Sequence, residues 1–70
     1  MADVLAPLAG KILAVLVEPG SKVDEDDELI VIEALKMENT VYAPGPGTVK
    51  EIAVKVGDSV EDDDLLVVFE

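Results

Sequence analysis

Few side chains in this sequence could take part in chemistry. The 70 residues include no histidine and no cysteine, which removes the usual general base near neutral pH, the commonest metal ligand and the thiol nucleophiles. The remaining nucleophiles are five lysines: Lys11, Lys22, Lys36, Lys50 and Lys55. Four of them lie in segments that occur twice in the chain, whereas Lys36 stands between the two copies. Lys36 is therefore the candidate functional residue, and we do not expect this chain to be a catalyst by itself.

Acidic residues set the charge of the chain, with 16 Asp and Glu, five Lys and a formal net charge of −11. This balance argues against nucleic acids and anionic membranes as partners, and it would make copies of the chain repel each other. A partner with a basic docking surface would be complementary to this charge. The acidic runs at 24–28 and 61–64 do not fit a calcium-binding EF-hand, because the sixth and twelfth positions counted from Asp24 are Leu29 and Leu35 rather than Gly and Glu. We interpret the two runs as solvated turns and predict no metal site.

One sequence unit occurs twice. An offset of 37 residues aligns residues 4–33 with residues 41–70 without a gap, and 12 of the 30 aligned positions are identical. The identities include the pairs Pro7/Pro44, Gly10/Gly47 and Gly20/Gly57. Acidic bias cannot easily align prolines, glycines and valines together. We infer a duplicated unit and a fold with a pseudo-two-fold axis.

Each unit is predicted to form short strands separated by turns. Half of the residues are hydrophobic, yet Tyr42 and Phe69 are the only aromatic ones, and the β-branched residues that dominate fit a pleated sheet better than a helix. The predicted strands are Val4–Ala6, Lys11–Glu18, a short one at Val23 and Glu28–Glu33, with counterparts that include Thr48–Val56, one at Val60 and Leu65–Glu70. Neither unit could cover its own apolar face, so residues 1–70 are expected to form one all-β domain, a flattened barrel or sandwich.

The seven residues between the units, 34–40, connect two predicted strands. So short a connection implies a tight hairpin with Leu35 and Lys36 at its centre, flanked by Ala34 and Met37. Two-residue hairpin turns favour pairs such as Asn-Gly, which adopt positive φ easily, so Leu-Lys conflicts with the local rule. Such conflicts collect at functional sites. The hairpin would also expose two hydrophobic side chains, Leu35 and Met37.

The residues around this hairpin resemble a known family. Residues 33–39 read Glu-Ala-Leu-Lys-Met-Glu-Asn, which is similar to the motif Glu-Ala-Met-Lys-Met-Glu-Asn of biotinyl domains, the carboxyl carrier domains of biotin-dependent carboxylases and decarboxylases. Leu35 replaces the first Met. The sequences from Ala6 to Gly10 and from Ala43 to Gly47 also resemble the family pattern Ala-Pro-x-x-Gly and its repeat. The resemblance covers the chain from about residue 4 to residue 70.

The resemblance implies a barrel of two four-stranded antiparallel sheets with the modified lysine on the hairpin between the halves. It implies that a biotin protein ligase attaches biotin covalently to Lys36 and that Ala34, Leu35 and Met37 take part in recognition by the ligase and in carboxyl transfer. The domain would then carry a carboxyl group, as N-carboxybiotin, between biotin carboxylase and carboxyltransferase or decarboxylase partners. Leu35 conserves the volume of Met but lacks the thioether, so we expect ligase recognition to persist.

Two other functions remain open. Lipoyl domains share this fold and its modified lysine, but their motif generally reads Asp-Lys-Ala, whereas this chain has Leu-Lys-Met. A module that binds a partner through its acidic surface would not depend on Lys36 at all. The N-terminus does not resemble a signal peptide and no segment reaches the roughly 20 apolar residues of a membrane span, so we expect a cytoplasmic, monomeric domain.

Overall fold

Short β-strands joined by turns make up residues 3–70, the part of the chain that the computed structural model describes. The strands are β1 (Asp3–Leu5), β2 (Gly10–Val15), β3 (Lys22–Val23), β4 (Glu28–Ala34), β5 (Met37–Tyr42), β6 (Gly47–Ile52), β7 (Ser59–Val60) and β8 (Leu65–Phe69). They form two four-stranded sheets in the orders β1-β8-β6-β3 and β5-β4-β2-β7, in which every strand pair is antiparallel. The all-β prediction is confirmed. Within residues 3–70 no helix could cross a membrane.

The duplicated units exchange strands. Each sheet contains two strands from each unit, and the 37-residue offset converts the order of one sheet into the order of the other. The bulges obey the same relation, since β2 is irregular between Ile12 and Ala14 and β6 between Val49 and Glu51. The pseudo-two-fold symmetry expected from the repeat is therefore present in the backbone.

The hydrophobic core obeys this symmetry side chain by side chain. Its 14 buried residues form seven pairs related by the offset: Val4/Val41, Ala6/Ala43, Ile12/Val49, Val23/Val60, Leu29/Leu66, Ile30/Val67 and Ile32/Phe69. Among the described residues no polar or charged side chain is buried. Because the interior formed by residues 3–70 holds no buried polar side chain, apolar shape and the turns must specify the fold.

Symmetric turns shape both units. Gly20 and Gly57 have φ of 93° and 95°, and Asp26 and Asp63 have φ of 69° and 70°. The first two values require glycine in practice, whereas aspartate tolerates the left-handed region better than most residues do. The interpretation of the acidic runs at 24–28 and 61–64 as turns is confirmed.

The strands that follow Gly10 and Gly47 are shorter than predicted. They begin at Gly10 and Gly47, one residue before the predicted Lys11 and Thr48, and they end at Val15 and Ile52 rather than at Glu18 and Val56. The reason is that the chain leaves one sheet for the other after these points. After β2, for example, the amide of Gly20 donates to the carbonyl of Val49 on β6, 2.7 Å away. An apolar pattern continues through this crossover, so periodicity alone overestimates the strand.

Candidate functional site

Lys36 lies in the two-residue turn of the β4–β5 hairpin. The last paired residues are Ala34 and Met37, which face each other across the strands, and Glu33 and Glu38 form the next pair. Only Leu35 and Lys36 remain in the turn, as the sequence predicted. Strand pairing therefore reaches Met37, the residue directly after Lys36.

Both turn residues have left-handed backbone conformations, with φ of 53° at Leu35 and 63° at Lys36. Positive φ at both central positions is the feature of a type I′ turn, which normally takes Asn-Gly. A residue with a Cβ in this region costs about 1–2 kcal/mol. Leu-Lys is therefore an unfavourable choice for this turn, and the rest of the hairpin must compensate for it.

Side-chain exposure changes sharply at the hairpin tip, which we define as Ala34–Met37. Leu35 is 96% exposed and Met37 is 66% exposed, whereas Ala34 is buried; Lys36 is exposed. Leu35 and Met37 thus present apolar surface on either side of the Lys36 amine. Ala34 is instead buried at the base of the tip, and a direct part for it in recognition stays a prediction.

The strand that leads to the tip is firmly held. β4 lies between β2 and β5 in its sheet, and its residues Leu29, Ile30 and Ile32 are completely buried. Gly10 of β2 approaches the backbone of Glu33 so closely that a Cβ there would lie 2.5 Å from the Glu33 carbonyl oxygen. The base of the hairpin is therefore a rigid support from which Lys36 projects.

Glutamates flank the tip in an arrangement that the sequence analysis did not single out. Glu33 is directly opposite Glu38 on β5 and directly opposite Lys11 on β2. Like charges placed opposite each other on neighbouring strands are destabilising. The signal for this pair was present in the sequence, because a two-residue turn at 35–36 forces residues 33 and 38 to pair.

The tip has the parts of an attachment point. It offers one primary amine, which could form an amide, on a side chain clear of the protein surface. Among residues 3–70 no group of three or more carboxylates is arranged to hold a metal ion.

A family model described as "Biotin-requiring enzyme" matches residues 2–69 of the chain. The chain belongs to the biotin/lipoyl attachment family. Within this family it is a carrier domain of the kind found in biotin-dependent carboxylases and decarboxylases.

Other members of the biotin/lipoyl attachment family are similar to this chain in sequence and in fold. The chain is 53% identical over 38 residues to the gamma subunit of glutaconyl-CoA decarboxylase from Acidaminococcus fermentans, a match that covers 54% of the chain and 26% of that subunit. The urea carboxylase of Kluyveromyces lactis has a region with the same fold, at a TM-score of 0.92 and 33% identity, covering 99% of this chain and 6% of that one.

A lipoyl domain of the same family is also similar. The lipoyl domain of the 2-oxoglutarate dehydrogenase complex from Azotobacter vinelandii superposes with a TM-score of 0.84 and 28% identity, covering 100% of this chain and 96% of that domain. The expected fold of two four-stranded sheets is thus confirmed by a solved member. Because this attachment domain spans about a quarter or less of the decarboxylase subunit and of the urea carboxylase, the activities of those whole proteins do not follow for it directly.

Proposed function

We propose that Lys36 is the attachment point of biotin and that the domain carries a carboxyl group between two active sites of a biotin-dependent carboxylase or decarboxylase. The observation that carries the proposal is the exposed Lys36 amine at the centre of a strained two-residue turn. The flanking residues of the biotinyl motif support biotin as the attached group.

Attachment requires the Lys36 nitrogen to act as a nucleophile. A base of the ligase must accept the proton that this nitrogen gives up. The nitrogen then attacks the acyl carbon of biotinyl-adenylate; the new C–N bond forms as the C–O bond to AMP breaks, and AMP leaves. The geometry fits this reaction, because Lys36 is exposed in a turn of only two residues.

The domain contributes reach and local concentration. A group held on a tethered arm meets its partner sites at an effective concentration set by the tether. Biotin on Lys36 would supply the nitrogen that accepts and releases the carboxyl group. The buried β4 strand and the two-residue turn fix the point on the domain at which the arm begins.

The same proposal implies which partner proteins the domain would bind. Biotin carboxylase and carboxyltransferase or decarboxylase subunits would bind the domain in turn. Lipoyl attachment at Lys36 is the alternative, and the similarity to a lipoyl domain over its full length supports keeping it.

Intact-mass spectrometry after co-expression with a biotin protein ligase or a lipoyl ligase distinguishes biotin attachment from lipoyl attachment. We expect one biotin per chain with the first enzyme, mapped to Lys36 by peptide sequencing, and none on the other four lysines. The Lys36→Arg chain should fold and remain unmodified. A lipoyl adduct without a biotin adduct, or biotin on a lysine of the repeat units, would contradict the proposal.

A further inference from the structure

A shallow groove of about 410 Å³ lies between strands β1 and β5. Each of these strands is at the edge of its sheet, since β1 pairs only with β8 and β5 only with β4 within residues 3–70. The apolar lining consists of three pairs related by the 37-residue offset: Val4/Val41, Leu5/Tyr42 and Pro7/Pro44. The groove therefore lies on the pseudo-two-fold axis, away from the Lys36 turn.

The two edge strands run in opposite directions along the groove. β1 continues through residues 6–9 into β2, whose Lys11 pairs with Glu33 beside the hairpin tip. β1 therefore runs towards the tip, whereas β5 starts at the tip with Met37 and runs away from it. Within residues 3–70 the outer edge of each strand pairs with no other strand, which is the arrangement that accepts an added strand.

An acidic turn lies at each end of the groove. The turn at 61–64 is bound to Ala6, at the end of β1, through the amide of Asp63 and the carbonyl of Asp64. The turn at 24–28 is bound in the same way to Ala43, at the end of β5, through the amide of Asp26 and the carbonyl of Asp27. These two turns hold nine of the 16 acidic residues of the chain.

The groove walls connect directly to these turns. Glu28 pairs across the strands with Tyr42, and Leu65 pairs with Leu5. Tyr42 is 53% exposed and Leu5 is 46% exposed. An apolar surface is thus open to solvent between two concentrations of negative charge.

We propose that this groove binds an extended segment of a partner protein that is apolar in its centre and basic at both ends. The apolar centre would cover Leu5 and Tyr42, and the two basic side chains would reach the acidic turns. At about 3.3 Å per residue, side chains on one face of an extended segment recur every second residue, so basic residues six positions apart would span about 20 Å. This docking surface is separate from the biotin attachment proposed at Lys36.

Charge repulsion disfavours a second copy of this chain as the occupant of the groove. Two copies would bring equal net charges of −11 together and would place acidic turns against acidic turns. Nearby like charges cost free energy, and an apolar contact of this size would not offset it. The same acidic turns would attract a basic partner.

The test titrates the unmodified, isotopically labelled chain with the peptide acetyl-Lys-Thr-Val-Thr-Val-Thr-Lys-amide and follows backbone amide shifts by NMR. Both lysines and both valines of this peptide lie on one face when it is extended. We expect saturable shifts at Val4, Leu5, Val41 and Tyr42, and about a twofold or greater loss of affinity when Glu replaces both lysines, because two exposed ion pairs are then lost.

Matched variants distinguish an effect of the groove on peptide binding from an effect of the net charge. Leu5→Lys and Leu16→Lys change the charge equally, and Leu16 is 48% exposed but outside the groove. We expect Leu5→Lys to weaken binding about fivefold or more relative to Leu16→Lys. Tyr42→Lys provides a second groove variant if Leu5→Lys does not fold.

Four results would overturn the proposal. These are no shifts in the groove, shifts confined to the acidic turns, equal binding of the Glu-flanked peptide, and equal effects of Leu5→Lys and Leu16→Lys. If the same amides shift when the chain is concentrated without peptide, the occupant is a second copy, and the proposal is also wrong. Because the unmodified chain is used, none of these results depends on the function proposed for Lys36.

Discussion

Gly10 lies directly against the backbone of Glu33, three residues before Lys36 in the chain. A Cβ at Gly10 would be 2.5 Å from the Glu33 carbonyl oxygen and 2.6 Å from Cγ2 of Ile32. The symmetry-related Gly47 has room, since a Cβ there would be 3.5 Å from the ring of Phe69. The two glycines are identical in the repeat but not in their surroundings.

We therefore expect Gly10→Ala and Gly47→Ala to change the unfolding free energy by different amounts or in opposite directions. Gly10→Ala must displace the β4 backbone, and overpacking of this kind costs about 1–3 kcal/mol of unfolding free energy. Gly47→Ala should be near neutral, because the added methyl makes an ordinary contact and the unfolded chain loses freedom. Urea unfolding measures both. Equal destabilisation by the two changes would show that the approach of Gly10 to Glu33 is not the cause.

The turn predicts a stabilising substitution at Leu35. Its φ is 53° and its side chain is 96% exposed, so Leu35→Asn removes little packing and places a residue that adopts positive φ more easily. We expect a gain of about 1 kcal/mol in unfolding free energy. Leu35→Met is the control and should leave stability unchanged. A loss of stability in Leu35→Asn would mean that Leu35 makes a contact that offsets its backbone strain.

The facing carboxylates Glu33 and Glu38 predict a second stabilising change. Glu38→Gln removes one of two like charges that are opposite each other and should raise the unfolding free energy by about 0.2–1 kcal/mol at low salt, with a smaller gain at 1 M salt. Glu51→Gln is the matched control, because Glu51 faces Val68. If both variants gain equally, the effect comes from the net charge of −11 and not from the pair.

Two aspartates hold the symmetric acidic turns and should be needed for stability. The Oδ2 atoms of Asp27 and Asp64 each accept a hydrogen bond of 2.8 Å, from the amides of Asp24 and Glu61 respectively. Asp27→Ala and Asp64→Ala should each cost about 0.5–1.5 kcal/mol. Asp62→Ala tests the charge alone, since Asp62 is exposed. Thermal unfolding in which all three variants behave alike would refute a role for these bonds.

Several features of the site follow from residues close together in the sequence. The gap between the repeats places Lys36 outside both units, and the shortness of residues 34–40 forces a two-residue turn. The positive φ at Asp26 and Asp63 also follows from local turn chemistry, which depends on neighbouring backbone atoms alone. Local interactions of this kind can be derived without knowing which strands pair.

The ends of the strands could not be derived from local sequence in this way. The predicted strand Lys11–Glu18 ends at Val15, because the chain crosses there to the opposite sheet. The crossover residues Val17 and Val54 still pack against the core, so they continue the apolar pattern of a strand. Hydrophobic periodicity reports burial and does not report which backbone partner is present.

The sequence by itself determined the duplication, the all-β class, the tight turn at Leu35 and Lys36 and the resemblance that makes Lys36 the candidate anchor. Tertiary structure alone decided that the units exchange strands, that Gly10 rather than Gly47 is crowded, and that β1 and β5 leave a groove between acidic turns. The physical reason is that turns and repeats depend on neighbours in the chain, whereas crowding and grooves depend on backbone segments that only the folded sheets bring together.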